Sequence, residues 1–382
     1  MTIKLYDTDS YATQFEATVI SCENCGDQYK TELDRTLFFP EEGGQCADKG
    51  TIDGVEITHV ELSKDSVFHY SNSPFAVGEK VKGEIDFPTR FRNMQNHSGE
   101  HIICGIAHKL YGYENVGFHL GEDIVTMDLS GELTKEDIQK IEYLANEAVV
   151  KNMPVTAFYP AQKELESMDY RSKGEIEGDV RIVTIGDVDA CACCAPHVKF
   201  TGEIGIIKIL NFDRHRGGMR LTICCGLDAV RDYCQKHDIN AHISALLSVK
   251  QYETDKGVEK MIEDMNTLRG KLSEKTKQIC NYLVDSIEAS DSNVCLFCDD
   301  VDADSLRLIA NKLKGKTSAY GAVLTGDDEK GYRYVIVTSA GDVSGFVKEA
   351  NAALSGRGGG RGEMASGTFS AKRDEIEKYF DK

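Results

Sequence analysis

The sequence contains no apolar run long enough to cross a bilayer. Its start, Met1-Thr2-Ile3-Lys4-Leu5-Tyr6-Asp7, runs into mixed polar residues and does not read as an export signal. No membrane role is expected, and a cytoplasmic location is. A surplus of positive charge is also missing. Lysine and arginine number 44 against 63 acidic residues, for a formal charge of −19. That balance excludes a general nucleic-acid binder, although a local cationic patch can still act within an acidic whole. No His-Glu-x-x-His segment occurs, which argues against a zinc peptidase.

What is present points elsewhere. Two or three domains are expected from 382 residues, and the apolar and charged fractions are those of a globular protein. In a chain without an export signal, the 13 cysteines read as reduced thiols with a metal ligand among them. The stretch around which the rest is organised is Asn96-His97-Ser98-Gly99-Glu100-His101. Histidines four apart on a helix lie one turn above the other and can hold one ion together. Far downstream, Cys193-Cys194-Ala195-Pro196-His197 repeats the spacing in a turn restricted by Pro196. His97, His101, Cys193 and His197 would complete a tetrahedral set suited to Zn2+.

The patterning predicts an α+β multidomain chain. Residues 1–88 read as a small β-barrel, with strands at Phe15 to Ser21, Tyr29 to Leu33, Glu56 to Leu62 and Val81 to Asp86, and a hairpin turn at Asp53-Gly54. Within it Phe39-Pro40-Glu41-Glu42-Gly43-Gly44-Gln45 brings a glycine pair that permits close backbone approach. Residues 89–235 read as an α+β segment. A helix from about Arg90 to Tyr111 carries Met94, His97, His101 and His108 on one stripe, beside an apolar stripe expected to face a sheet, which leaves the histidines at a cleft edge. A second helix, Lys135 to Asn152, should start at the N-cap Thr134, with Asp137 three residues on.

Residues 236–290 read as a helical or coiled-coil spacer. Met261, Met265, Leu268 and Leu272 are spaced 4, 3 and 4, compatible with a dimerisation arm. Residues 291–382 alternate strands and helices and include Ser355-Gly356-Arg357-Gly358-Gly359-Gly360-Arg361-Gly362, readable as a phosphate cradle or a flexible loop. Arg214, Arg216 and Arg220, beside Gly217-Gly218, form the best local cationic patch. Cys22-x-x-Cys25 and Cys295-x-x-Cys298 are expected to be incidental thiols.

Several of these motifs together resemble one family. Asn96 to His101, Cys193 to Val198 and Thr201-Gly202-Glu203-Ile204-Gly205 resemble the editing domain of alanyl-tRNA synthetase and its free-standing AlaX relatives. Phe39 to Gln45, with Asp48 and Gly50, is similar to the glycine-rich motif of the family's N-terminal barrel, and Arg357 to Met364 to the synthetase's C-terminal, DHH-associated RNA-binding domain. No Asp-His-His run accompanies that last likeness, so a phosphoesterase is not expected. The order matches the long AlaX form end to end.

The resemblance implies zinc-dependent hydrolysis of tRNA(Ala) mischarged with serine or glycine, with His97, His101, Cys193 and His197 as ligands. It departs from the synthetase pattern where Glu100 stands in place of a usual threonine and Cys194-Ala195-Pro196 in place of Gly-Gly-Thr. The chemistry needs such an enzyme. An alanine pocket rejects serine, one hydroxyl larger, by only about two orders of magnitude, so a second hydrolytic site is required. Thr36 and Gln45 are the candidate partners for that hydroxyl, and Glu100 is the candidate general base. Gly43, Gly44, Arg214, Arg216, Arg220, Arg357 and Arg361 are the candidate RNA contacts. A non-catalytic zinc-containing tRNA-binding module is the alternative, and a homodimer through the spacer or C-terminal segment fits either reading.

Overall fold

The computed structural model describes residues 1–172 and 178–381. They divide into two compact units, Met1–Asn240 and Ala241–Lys382.

Six strands of the first unit form its barrel: β1 (Gln14–Asn24), β2 (Tyr29–Leu33), β3 (Gly50–Ile52), β4 (Val55–Ser63), β5 (Ser66–Ser71) and β6 (Lys80–Ile85). Their pairing runs β1-β2-β5-β4-β3-β6 and closes into a barrel, because β6 also pairs with β1. The period of two is clearest in β6, where Val81 and Ile85 are buried while Lys80, Lys82 and Glu84 face water. Asp53 and Gly54 both adopt positive φ, the two-residue turn that suits strand twist, between β3 and β4. Strands β3 and β5 were not anticipated: the first has three residues, and the second follows a two-residue turn at Lys64-Asp65 with no glycine to mark it.

Helix α1 (Phe87–Tyr111) starts from Asp86, whose carboxylate accepts from the Thr89 amide at 3.3 Å, and ends at Gly112 with φ 71°. It is tied to the barrel by Arg90. That fully buried guanidinium donates to the Asp48 carboxylate and, at 2.6 Å, to the Leu37 carbonyl, while Asp48 also accepts from the Phe39 amide. The expectation of a one-sided helix is corrected here. Residues 93–107 are buried without a break, so polar and apolar faces alike are covered, and His97 and His101 sit inside the unit, not at a cleft edge. Gly99 permits this, since a Cβ there would fall 2.4 Å from the Cys225 sulfur.

Strands β7 (Asn115–Leu120) and β8 (Val125–Leu129) precede helix α2 (Lys135–Val150), which carries the expected Thr134–Asp137 capping box. Then come β9 (Val155–Phe158), β10 (Ile182–Ile185), β11 (Asp189–Ala192), β12 (Ile207–His215) and β13 (Gly218–Cys225). They form two antiparallel sheets, β12-β13-β8-β7 and β9-β10-β11. Helix α3 (Leu227–Leu247) crosses the boundary between the units.

The second unit contains helix α4 (Thr254–Asp285), then β14 (Val294–Phe297), α5 (Ala303–Leu313), β15 (Tyr320–Asp327), β16 (Gly331–Thr338), α6 (Ser344–Ala353), β17 (Arg357–Arg361), β18 (Met364–Phe369) and α7 (Arg373–Phe380). The sheet order is β14-β15-β16-β18-β17. The glycine-rich run is thus neither a cradle nor a flexible loop. It is the edge strand β17, paired along its length with β18.

Candidate metal centre and active site

Two elements bring four donors together. The turn of α1 carrying His97 and His101 faces the segment after β11, from which Cys193 and His197 reach back. One ligand atom from each residue lies within 4.8 Å of all the others. The Cys193 Sγ is 3.6 Å from Nε2 of His97 and 3.4 Å from Nε2 of His197. All three imidazoles are 5 % exposed or less.

The outer nitrogen of each ring has a partner of its own. Nδ1 of His97 donates to Gln45 Oε1 at 2.9 Å, Nδ1 of His101 donates to Asp189 Oδ2 at 3.0 Å, and Nδ1 of His197 bonds the Ser98 hydroxyl at 3.0 Å. An amide oxygen and a carboxylate can only accept, so a hydrogen is fixed on Nδ1 of His97 and His101, and Nε2 is the atom turned to the sulfur. Asp189 is held in turn by Arg171 through two bonds of 2.8 and 2.9 Å. Arg181 donates to the carbonyls of Cys193 and Ala195 at 3.0 and 2.9 Å and so fixes the turn that presents the thiol.

Charge within the cluster follows from burial and proximity. Burial alone would raise the Cys193 thiol, but the His97 and His197 rings outweigh it and hold the group well below its ordinary value. Burial pushes His197 down to about 3. Burial works against a charged His101 too, yet Asp189 and Cys193 hold its pKa well above the usual histidine range. Metal binding needs a thiolate and neutral imidazoles, so it would release protons from the cluster. Three imidazole nitrogens and a thiolate, each oriented from behind, are a donor set able to hold a metal ion.

Other candidate residues are distributed differently. Gln45 stands directly behind His97. Glu100 is buried, with its carboxylate accepting from Asn115 Nδ2 and from the Cys104 thiol at 3.1 Å, and Oε2 lies 3.9 Å from His101 Nε2. Thr36 lies inside the barrel, fully buried, with its hydroxyl 2.8 Å from His69 Nε2 and accepting from the Phe38 amide at 3.0 Å. His108 pairs with Glu114 at 2.8 Å and is not part of the cluster.

The glycine pair is used for close contact. A Cβ on Gly44 would lie 2.2 Å from the Phe118 carbonyl, and Gly43 approaches the Cys194 sulfur. The arginines of the β12–β13 hairpin carry acidic partners to different degrees. Arg220 is held by Asp128 through two 2.7 Å bonds and Arg214 by Glu132 at 3.0 Å, leaving Arg216, exposed at the turn, as the least encumbered of the three. Arg357 and Arg361 are exposed on β17.

Sequence reading missed Asp189, Arg171, Ser98 and Arg181. Asp189 did carry a signal: Asp189-Ala190-Cys191-Ala192-Cys193 alternates, which sends residues 189, 191 and 193 to one face of a strand.

Comparison with known proteins now places the chain. Residues 180–221 match the family model of the threonyl and alanyl tRNA synthetase second additional domain, and residues 290–382 match that of the DHHA1 domain. The chain is related over nearly its whole length to alanyl-tRNA editing proteins. It is 27 % identical to AlaX-L of Pyrococcus horikoshii, covering 98 % of this chain and 96 % of that protein. It is also 27 % identical to Aarsd1 of Bos taurus, covering 97 % and 94 %. The alanine–tRNA ligase of Pyrococcus furiosus is 30 % identical over 98 % of this chain, which corresponds to 42 % of the ligase. Among the described residues no helix is long and apolar enough to cross a membrane.

Proposed function

We propose that the protein is a trans-editing hydrolase that cleaves the ester bond of tRNA(Ala) mischarged with serine or glycine, with zinc held by His97, His101, Cys193 and His197. The observation that carries this reading is the convergence of three Nε2 atoms and one thiol sulfur, backed by Gln45, Asp189 and Ser98, in a chain related end to end to alanyl-tRNA editing proteins. Zinc in that position would polarise the ester carbonyl or acidify a water. The chain's own residues fix the imidazole tautomers, keep the centre dry and bring the Glu100 carboxylate to the cluster, where it serves as general base. In this reading residues 1–88 and 89–235 build the hydrolytic unit, residues 236–290 or 291–382 join two copies into a homodimer, and residues 291–382 grip tRNA through Arg357 and Arg361.

One observation favours a second reading: four protein donors make a closed coordination shell, the usual sign of a structural metal. The non-catalytic tRNA-binding module would have that shell. Incubation with Ser-tRNA(Ala), Gly-tRNA(Ala) and Ala-tRNA(Ala), with and without chelator, decides between them. Editing gives release of serine or glycine, sparing of alanine, and loss of both releases on chelation. Binding of all three esters with none hydrolysed overturns the enzyme reading.

A further inference from the structure

Near the metal cluster, three buried polar atoms make no hydrogen bond by distance and angle: the Tyr6 hydroxyl, Glu42 Oε2 and Gln45 Nε2, with the Cys194 thiol the side-chain neighbour of the Glu42 carboxylate. Such atoms are rare in a folded interior, and each costs free energy unless a ligand or water meets it. Tyr6 and Glu42 are close enough to act on each other electrostatically, and Gln45 closes the turn that Glu42 begins. Tyr6 packs edge-on against Phe39 at 5.4 Å between ring centroids and shares a small apolar cluster with Phe39 and Ala195, with Cys193 and Cys194 against it. Glu42 begins the tight turn that ends at Gln45, with the two residues exchanging backbone hydrogen bonds at 3.0 and 3.2 Å. Gly43, in that turn, meets the Cys194 sulfur. The Gln45 Oε1 is already taken by the ligand His97, so only its Nε2 donor remains.

The three atoms form a complementary set. Glu42 offers an anionic acceptor, Gln45 a neutral donor, and the Tyr6 hydroxyl either role. A group that satisfies all of them must bring a cationic donor together with an acceptor a few atoms away. The aminoacyl end of a charged tRNA has that composition, with an α-ammonium one carbon from an ester carbonyl. We propose that Glu42 and Tyr6 form the subsite for the α-ammonium of the aminoacyl ester, with the Gln45 amide facing the oxygen functions beside it. The inference rests on the editing reading and adds what it lacked, a device that selects for a free α-amine. Burial, together with the acidic side chains of Asp7 and Glu42, pushes the Tyr6 hydroxyl far up, so it stays a neutral phenol whose oxygen accepts from the ammonium.

The test compares two esters on one tRNA(Ala): the seryl ester and its deaminated counterpart, the 2,3-dihydroxypropanoyl ester, in which a hydroxyl replaces the ammonium. Each is assayed with the wild-type protein and with Glu42→Gln and Tyr6→Phe, after metal content and thermal midpoint are matched. Wild type should prefer the seryl ester by about 10- to 100-fold in kcat/KM, the worth of one charge-assisted hydrogen bond. Glu42→Gln should lose that preference by slowing on the seryl ester alone, with Tyr6→Phe intermediate. A Glu42→Gln protein that keeps the full wild-type preference overturns the subsite while leaving the editing reading intact. Failure of the wild type on both esters overturns both.

Discussion

At the scale of single residues, the metal cluster is held in shape from behind. Asp189 fixes the His101 tautomer and is itself clamped by Arg171. Asp189→Asn keeps the shape but weakens the acceptor, and partners of this kind are worth about 10- to 100-fold in metal affinity. A competition titration with a chromophoric chelator should show that loss with far-ultraviolet circular dichroism unchanged; unaltered affinity would remove Asp189 from the orienting role. His69 gives a prediction of a different kind. Burial in the barrel lowers its pKa to about 4, against 6.5 for the ordinary side chain. The unfolded chain therefore takes up a proton near pH 6.5 that the folded chain refuses until about pH 4. The neutral ring's contribution is fully present above 6.5 and is lost as pH falls through that window, for roughly 3 kcal/mol in all. Urea unfolding at stepped pH should show a shallower acid decline in His69→Asn than in wild type; parallel curves would contradict it. The four converging side chains could be picked out from sequence because each pair is local, four residues apart. The use of Thr36 could not, because its partner His69 lies across the barrel and is reached only through strand pairing.

At the scale of elements, helix α1 joins the barrel to the cluster. It is the element whose exposure the sequence misrepresents: Asn93, Asn96, His97 and His101 look like a polar face, yet all four are buried, as when Asn96 accepts from the Cys225 amide at 2.9 Å. Arg90 is the connection on which that depends. Removing it leaves Asp48 as an uncompensated buried charge, at a cost of about 3 to 5 kcal/mol. Arg90→Ala should lower the denaturation midpoint accordingly, and a change below 1 kcal/mol (roughly, the worth of an exposed pair) would show that the pair is not effectively buried. The start of α2 was legible, since Thr134 and Asp137 act through neighbours in sequence. The β17 edge strand was not. Glycine-rich composition argues for a loop, and only the facing β18 makes it a strand.

At the scale of the whole molecule, the open question is assembly. Along α4, Val258, Met261, Met265, Leu268, Leu272 and Ile279 follow a heptad spacing and remain 37 to 69 % exposed. Asp264 and Lys271 flank that seam, so an antiparallel second copy would set each against the opposite charge. The proposed homodimer should sediment as a dimer, and a Met265→Asp, Leu272→Asp double variant should be monomeric with its metal content intact. A monomeric wild type at tens of micromolar (roughly the range a modest 8 kcal/mol association would reach easily) would dispose of the arm. The broad α+β plan was readable because it rests on local periodicity, whereas strand partners and helix burial are set by distant residues.

The donors of the metal centre come from Gln45-backed His97 and His101 on one side and from Cys193 and His197, nearly a hundred residues later, on the other. Ribosomal synthesis delivers them in that order. A nascent chain that has exposed the histidine pair but not yet its thiol can offer an ion only half a coordination sphere. In the proposed reading, loading therefore waits until about half the chain has been made, and a truncation before Cys193 would leave the ion only the histidine pair.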